Sequence, residues 1–67
     1  MSPRKMSLTI RRLREKRSLT QAELAKRARL TQGYISQLEA GAKKDIGAKV
    51  AVRLAKALGV PVTKLLA

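Results

Sequence analysis

The stretch from residue 31 to residue 39 carries amide and hydroxyl side chains and, apart from one glutamate, no charge. Gln32, Ser36 and Gln37 supply hydrogen-bonding groups, and Gly33 leaves a backbone position bare. A glutamine amide donates and accepts together, which matches the N6 and N7 groups of adenine in the major groove of DNA. Ordinary solvated polar residues would have the same composition, so the surrounding sequence has to decide between the two interpretations.

Positive charge surrounds this neutral stretch. The 67 residues include 16 Lys and Arg but only 4 Asp and Glu, which gives a net charge of +12. No Lys or Arg lies between residues 31 and 39. We therefore expect a polyanionic partner, with nucleic acid ahead of an anionic membrane surface or an acidic protein.

Several other kinds of chemistry are excluded by composition. The chain has no Cys and no His, so disulfides, Cys/His zinc sites and thiol or imidazole catalysis are impossible. The four carboxylates form no evident acid–base pair, and we predict neither enzymatic activity nor a metal or cofactor. No apolar run approaches the roughly 20 residues of a membrane span and no signal-peptide core is visible, which predicts a cytoplasmic location.

The spacing of apolar residues predicts an all-α fold of five short helices. Met6, Ile10 and Leu13 recur at intervals of four and three, as expected for one face of a helix. The predicted helices cover about residues 6–17, 20–28, 31–40, 48–58 and 61–66. They form a compact single domain over residues 6–67, preceded by a flexible basic arm over residues 1–5.

The second and third helices are predicted to be joined by a tight turn. Thr20 and Glu23 form a capping box at the start of the second helix, and Thr31 can cap the third. Only about three residues separate the two helices, which is too few for a wide loop. On a helical wheel, Ile35, Leu38 and Tyr34 face the core, while Gln32, Gly33, Ser36 and Gln37 face outward.

These motifs closely resemble those of the phage-repressor and Cro-like helix-turn-helix family, also called the XRE type. The resemblance is carried by Thr20-Gln-Ala-Glu-Leu-Ala-Lys-Arg-Ala, Thr31-Gln-Gly-Tyr-Ile-Ser-Gln-Leu-Glu-Ala-Gly41 and Leu54-Ala-Lys-Ala-Leu-Gly-Val60. It covers about residues 6–66. It implies a five-helix repressor-like domain in which the third helix enters the major groove.

The resemblance also implies roles for individual residues. Gln32, Gly33, Ser36 and Gln37 occupy the base-reading positions. Gln21, Thr31, Tyr34, Lys43 and Lys44 occupy positions that contact phosphates, and we add Arg4 and Lys5 of the basic arm to that set. Arg14 and Glu39 match a pair that often forms a partly buried ion pair between the first and third helices.

The chain departs from the family pattern at two places. Arg29 stands in the turn where many members have Gly, so a non-glycine residue is expected at positive φ. The loop from Ala42 to Gly47 lacks the frequent Pro-Ser start of the fourth helix. These departures predict a strained or altered turn, and they leave the onset of the fourth helix open by a residue or two.

The function that follows is sequence-specific binding of double-stranded DNA by a transcriptional regulator, a repressor in its simplest form. Because one helix reads few base pairs, a homodimer on a near-palindromic operator is expected. Val60, Val62 and Leu66 are candidates for the dimer contact and equally for the core. The alternative is an antitoxin or other protein-interaction module that docks an acidic partner. A cationic membrane-surface peptide is disfavoured because the apolar faces are needed for the core.

Overall fold

Five helices account for most of the chain. The structure is a computed structural model that describes residues 3–43 and 45–66, with the side chains of Pro3, Arg4 and Leu66 outside the description. The helices are α1 Pro3–Lys16, α2 Gln21–Ala28, α3 Gln32–Glu39, α4 Gly47–Leu58 and α5 Thr63–Leu66, and the described residues contain no strand. The prediction of a compact all-α fold with five helices is confirmed.

The first helix begins earlier than its apolar spacing predicts. Pro3 is its first residue, a position that suits proline because its φ is already helical and no backbone N–H is needed there. Residues 3–5 therefore belong to α1, which begins three residues before the predicted start at residue 6. Met1 and Ser2 lie outside the described residues.

Threonine caps fix the starts of α2 and α3. Thr20 Oγ1 accepts the Glu23 N–H at 3.1 Å, and Glu23 Oε1 accepts the Thr20 N–H at 2.9 Å, which completes the predicted capping box. Hydrogen bonding from Thr20 to the Glu23 carboxylate, first from the backbone N–H and then from the side chain, holds the pKa of this carboxyl below its ordinary value. Thr31 Oγ1 accepts the Tyr34 N–H at 3.0 Å. Each cap satisfies backbone donors that have no partner inside the helix.

The start of α4 has no threonine cap and is stabilised by an aspartate instead. Gly47, its first residue, has a φ of 70°, and Ile46 before it offers no side-chain cap. Asp45 Oδ1 accepts the Gly47 N–H at 3.1 Å. A short aspartate turn thus replaces the family's Pro-Ser start, and α4 begins one residue before the predicted position.

Four helices end in the same kind of loop. Ser18, Arg29, Gly41 and Gly59 have φ values of 55°, 58°, 77° and 68°, all in the left-handed region. The residue after each donates its N–H to a carbonyl five positions back, over 2.8–3.1 Å. This is the hydrogen-bond pattern of a Schellman ending. Positive φ at Arg29, expected from the sequence, is observed, and a non-glycine residue there costs on the order of 1 kcal/mol.

The core is aliphatic and lies where the helices meet. The described part of the chain has fourteen buried apolar residues, which are Met6, Ile10, Leu19, Leu24, Ala25, Ala28, Ile35, Leu38, Ile46, Ala51, Leu54, Ala55, Leu58 and Leu65. α3 packs against α1 and α2, whereas α4 packs against α2 and α5. α2 is therefore shared by the two halves of the domain and fixes α3 relative to α4.

Candidate nucleic-acid interface

One face of α3 is anchored in the core and the other faces solvent. Ile35 and Leu38 have no exposed surface, whereas Gln32, Gly33, Ser36 and Gln37 are all exposed. We call these four residues the reading face. Its side chains present two amides and a hydroxyl without any cation, as the helical wheel predicts. Because Ile35 and Leu38 anchor the helix in the core, the hydrogen-bonding groups of the opposite face are exposed to solvent.

Gly33 is the most open point of the reading face. A methyl group built on its Cα would meet nothing within 4 Å, and its φ is not in the left-handed region. Neither a tight packing contact nor a special backbone conformation therefore requires glycine at this position. The bare position leaves room for close approach to the α3 backbone from outside the domain.

A bidentate ion pair joins α1 to the end of α3. Arg14 Nε donates to Glu39 Oε2 at 2.6 Å and Arg14 Nη2 donates to Glu39 Oε1 at 2.9 Å. Only 13% of the Arg14 side chain and 5% of the Glu39 side chain are exposed. The hydrogen bonds to Glu39 raise the pKa of the Arg14 guanidinium above its ordinary value, so it stays charged. Arg14 Nη1 also donates to the Leu19 carbonyl at 2.7 Å.

Gln21 belongs to this network as well as to the predicted phosphate set. Its Nε2 donates to Glu39 Oε1 at 3.3 Å. A shallow depression of about 290 Å³ brings Gln21 and Ser36 together with Arg11, Arg14, Glu39 and Ala40. The start of α2 and the reading face therefore border the same depression. One partner lying across α3 could contact both.

Three predicted phosphate-binding residues gather beside the start of α3. The Thr31 hydroxyl is exposed while capping the helix, and Tyr34 is half-buried. Lys43 Nζ lies 5.0 Å from the centre of the Tyr34 ring, which is within cation–π distance. Burial, followed by the nearby Asp45 charge, raises the pKa of Tyr34, so its hydroxyl remains a protonated donor.

The remaining predicted phosphate contacts are less defined. Lys5 is exposed in the first turns of α1, where its carbonyl accepts the Thr9 hydroxyl at 3.0 Å. Lys44 and the side chain of Arg4 lie outside the described residues. The structure therefore places Lys5 on another helix from the Thr31, Tyr34 and Lys43 group.

Two basic residues have positions that the sequence reasoning missed. Arg11 borders the depression beside Ser36, and its Nε lies 3.7 Å from Glu15. Arg53 of α4 donates from Nε to the Ala28 carbonyl at 3.0 Å and from Nη2 to the Arg29 carbonyl at 2.6 Å. For Arg53, the sequence indicates only that the carbonyls at the end of α2 need hydrogen-bond donors, and it does not indicate which residue donates.

A short helix, a tight turn and a second helix with an exposed polar face define a helix-turn-helix domain of the DNA-binding class. The chain belongs to the XRE-type helix-turn-helix family, whose model, described as "Helix-turn-helix", matches residues 10–65. Members of this family are DNA-binding regulators and not enzymes.

Two solved structures are similar over nearly the whole chain. Both are crystal structures of the clp gene regulator ClgR from Corynebacterium glutamicum, at 29% sequence identity. One has a TM-score of 0.86, with 98% of this chain and 84% of the other covered, and the second has a TM-score of 0.88, with 98% and 69% covered. No curated protein matches the chain significantly. Among the described residues, no helix is long and apolar enough to cross a membrane.

Proposed function

We propose that this chain is a DNA-binding transcriptional regulator that reads a specific sequence by placing α3 in the major groove. The observation that carries the proposal is the reading face, where Gln32, Ser36 and Gln37 expose hydrogen-bonding groups from a helix anchored by buried residues. Amides and hydroxyls distinguish base edges, whereas cations mainly hold phosphates. In this proposal, recognition of bases and binding of phosphates are carried out by different residues.

Phosphate contacts surround the reading face in this proposal. Thr31, Tyr34 and Lys43 lie beside the start of α3, and Gln21 lies next to Ser36 in the shared depression. Arg11 borders the same depression and joins the candidate set. These groups, with Arg4, Lys5 and Lys44, supply affinity for any sequence and fix the register of α3 on the duplex.

The proposed regulator acts as a homodimer on a near-palindromic operator, and it represses by occupying promoter DNA. A single reading helix covers few base pairs, which supports pairing of two copies. Val60 and Val62, considered for the dimer contact from the sequence, pack partly buried against the core. Leu8 and Val52 are 45% and 53% exposed and offer apolar surface for a second copy.

In-vitro selection of random duplexes, followed by binding assays at several salt concentrations, tests the proposed function. Enrichment of a near-palindromic motif is the expected result. Failure to enrich any motif would contradict it and favour the alternative of docking an acidic protein.

Gln32→Ala and Gln37→Ala should each relax base preference at particular operator positions. The expected loss of discrimination is about 1–3 kcal/mol, because a bidentate glutamine contact to a base edge is removed. Binding to the selected operator and to its single-base variants measures this loss. Lys43→Ala is the control, since loss of a phosphate contact should weaken all duplexes alike. Equal losses on operator and random DNA for the Gln variants would contradict a base-reading role.

Gly33→Ala should stabilise the free domain while weakening its binding to the operator. The added methyl meets no atom of the domain, and alanine is favoured over glycine within a helix by up to about 1 kcal/mol. On DNA the same methyl would occupy the space that lets the α3 backbone approach the bases. Thermal unfolding and operator affinity, measured on one preparation, check both halves. Unchanged affinity with raised stability would show that the bare position has no role in DNA contact.

A further inference from the structure

A basic pocket lies between the end of α2 and the middle of α4. It encloses about 500 Å³, and its lining residues are Arg27, Ala28, Arg29, Arg53, Lys56 and Ala57. Four of these six are cations, and the remaining two are alanines, so no carboxylate lines the pocket. Such a lining suits an anion of high charge density.

Three of the four cations are available to a ligand. Arg53 donates to the Ala28 and Arg29 carbonyls and thereby closes the end of α2. Arg27, Arg29 and Lys56 are exposed, and none of them forms an ion pair with another described residue. Glu23, one turn before Arg27, interacts electrostatically with Arg27, and its carboxylate also accepts the Thr20 N–H. The cations therefore lack a strong internal counter-charge.

Arg29 stands at this pocket in an unfavourable backbone conformation. Its φ of 58° lies in the left-handed region, where glycine fits without steric cost. Ser18 ends α1 with a similar φ of 55°, so the positive φ of Arg29 belongs to the helix ending. Here the strained residue contributes a guanidinium to a cluster of cations.

The pocket is separate from the reading face. α2 packs against both α3 and α4, and every pocket residue belongs to α2, the residue after it, or α4. No residue of α3 contributes to the lining. The lining of this pocket is therefore built without any residue of the reading face.

We propose that this pocket is a second phosphate site that binds the backbone of a DNA segment other than the one read by α3. The inference rests on the proposed DNA-binding function. Guanidinium groups bind phosphate oxygens in a bidentate manner, and interfaces with DNA are polar and strongly positive. An acidic protein is the less favoured occupant, because stable protein contacts centre on large apolar or aromatic anchors and the pocket offers only alanine methyls. One domain thereby bridges two DNA segments.

Energy transfer between two duplexes tests this bridging. Donor-labelled and acceptor-labelled copies of one short random-sequence duplex are mixed with the full chain at low salt. The variant Arg27→Gln/Arg29→Gly should lower the transfer at least about fivefold, because two phosphate-binding cations are removed. Arg29→Gly also relieves the strained φ, so the variant should unfold at an equal or higher temperature than the parent chain.

The matched control is Arg12→Gln/Lys16→Gln, which removes two exposed cations from α1 and lowers the net charge equally. It should retain the transfer to within about a factor of two. Equal energy transfer in the two double variants overturns the proposal, because a homodimer that bridges through its two reading faces alone would give that result. Absence of energy transfer with the parent chain also overturns it. If a poly-glutamate peptide displaces the labelled duplex at a lower concentration than an unlabelled duplex does, the proposal is also overturned and the pocket is assigned to an acidic protein. Failure of the proposed function has a different signature, which is bridging without enrichment of any sequence motif.

Discussion

Replacing Arg14 by methionine should lower the free energy of unfolding by about 3–5 kcal/mol, because it strands a buried carboxylate. Glu39 is only 5% exposed and would keep a single hydrogen bond, the one from Gln21. The Leu19 carbonyl would lose its donor as well. A 67-residue domain has a total stability of about 3–10 kcal/mol at typical values per residue. The variant should therefore lose from about a third to all of its stability, which urea titration followed by circular dichroism measures.

The surface pair Arg11–Glu15 provides the matched control. Its closest approach is 3.7 Å, and the two side chains are 59% and 56% exposed. Arg11→Met should cost no more than about 0.5 kcal/mol, since exposed pairs contribute little. The double variant Arg14→Met/Glu39→Leu should recover most of the lost stability, because no buried charge is left unpaired. A loss below about 1 kcal/mol for Arg14→Met alone would contradict a structural role for this pair.

Operator affinity should fall about ten-thousandfold when salt rises from about 50 to about 200 mM. The phosphate set predicted from the sequence has four cations, Arg4, Lys5, Lys43 and Lys44, and a homodimer doubles that number. Each neutralised phosphate contributes about −0.9 to the slope of log affinity against log salt, so the dimer should show a slope of about −7. A monomer should show about half that slope. Fluorescence anisotropy at four or five salt concentrations measures it.

Lys43→Ala should make this slope shallower by about 2 for a dimer, one phosphate contact for each copy. The same substitution removes the ammonium that lies over the Tyr34 ring. Lys64→Ala is the matched control, because it deletes an equal charge from an exposed position on α5, away from α3. If the slope of log affinity against log salt is shallower than about −2 for the parent chain, phosphate contacts do not supply most of the binding.

Local signals made most of the fold predictable. The hydroxyls of Thr20 and Thr31 act within their own helix starts, and an apolar spacing of three and four marks the buried face of each helix. The beginning of α1 was missed because Pro3 and Lys5 add no apolar periodicity, although proline is well suited to a first helical position.

The candidate site was predictable only in part. The outward direction of Gln32 and Gln37 follows from helix geometry alone, once Ile35 and Leu38 are assigned to the core. The bonds of Arg53 to the end of α2 could not be predicted, since they depend on how α4 crosses α2 and not on residues near in sequence. The position of Arg11 beside Ser36 could not be predicted either, because it depends on how α1 packs against α3.

The left-handed endings of α1 to α4 also bear on how quickly the regulator becomes available. Each ending is closed by a hydrogen bond between residues five positions apart, so these contacts are local in sequence. Helical domains rich in such local contacts fold in microseconds to milliseconds. A newly synthesised copy would then be folded soon after it leaves the ribosome, and pairing of two copies in the proposed homodimer would be the slower step before operator binding.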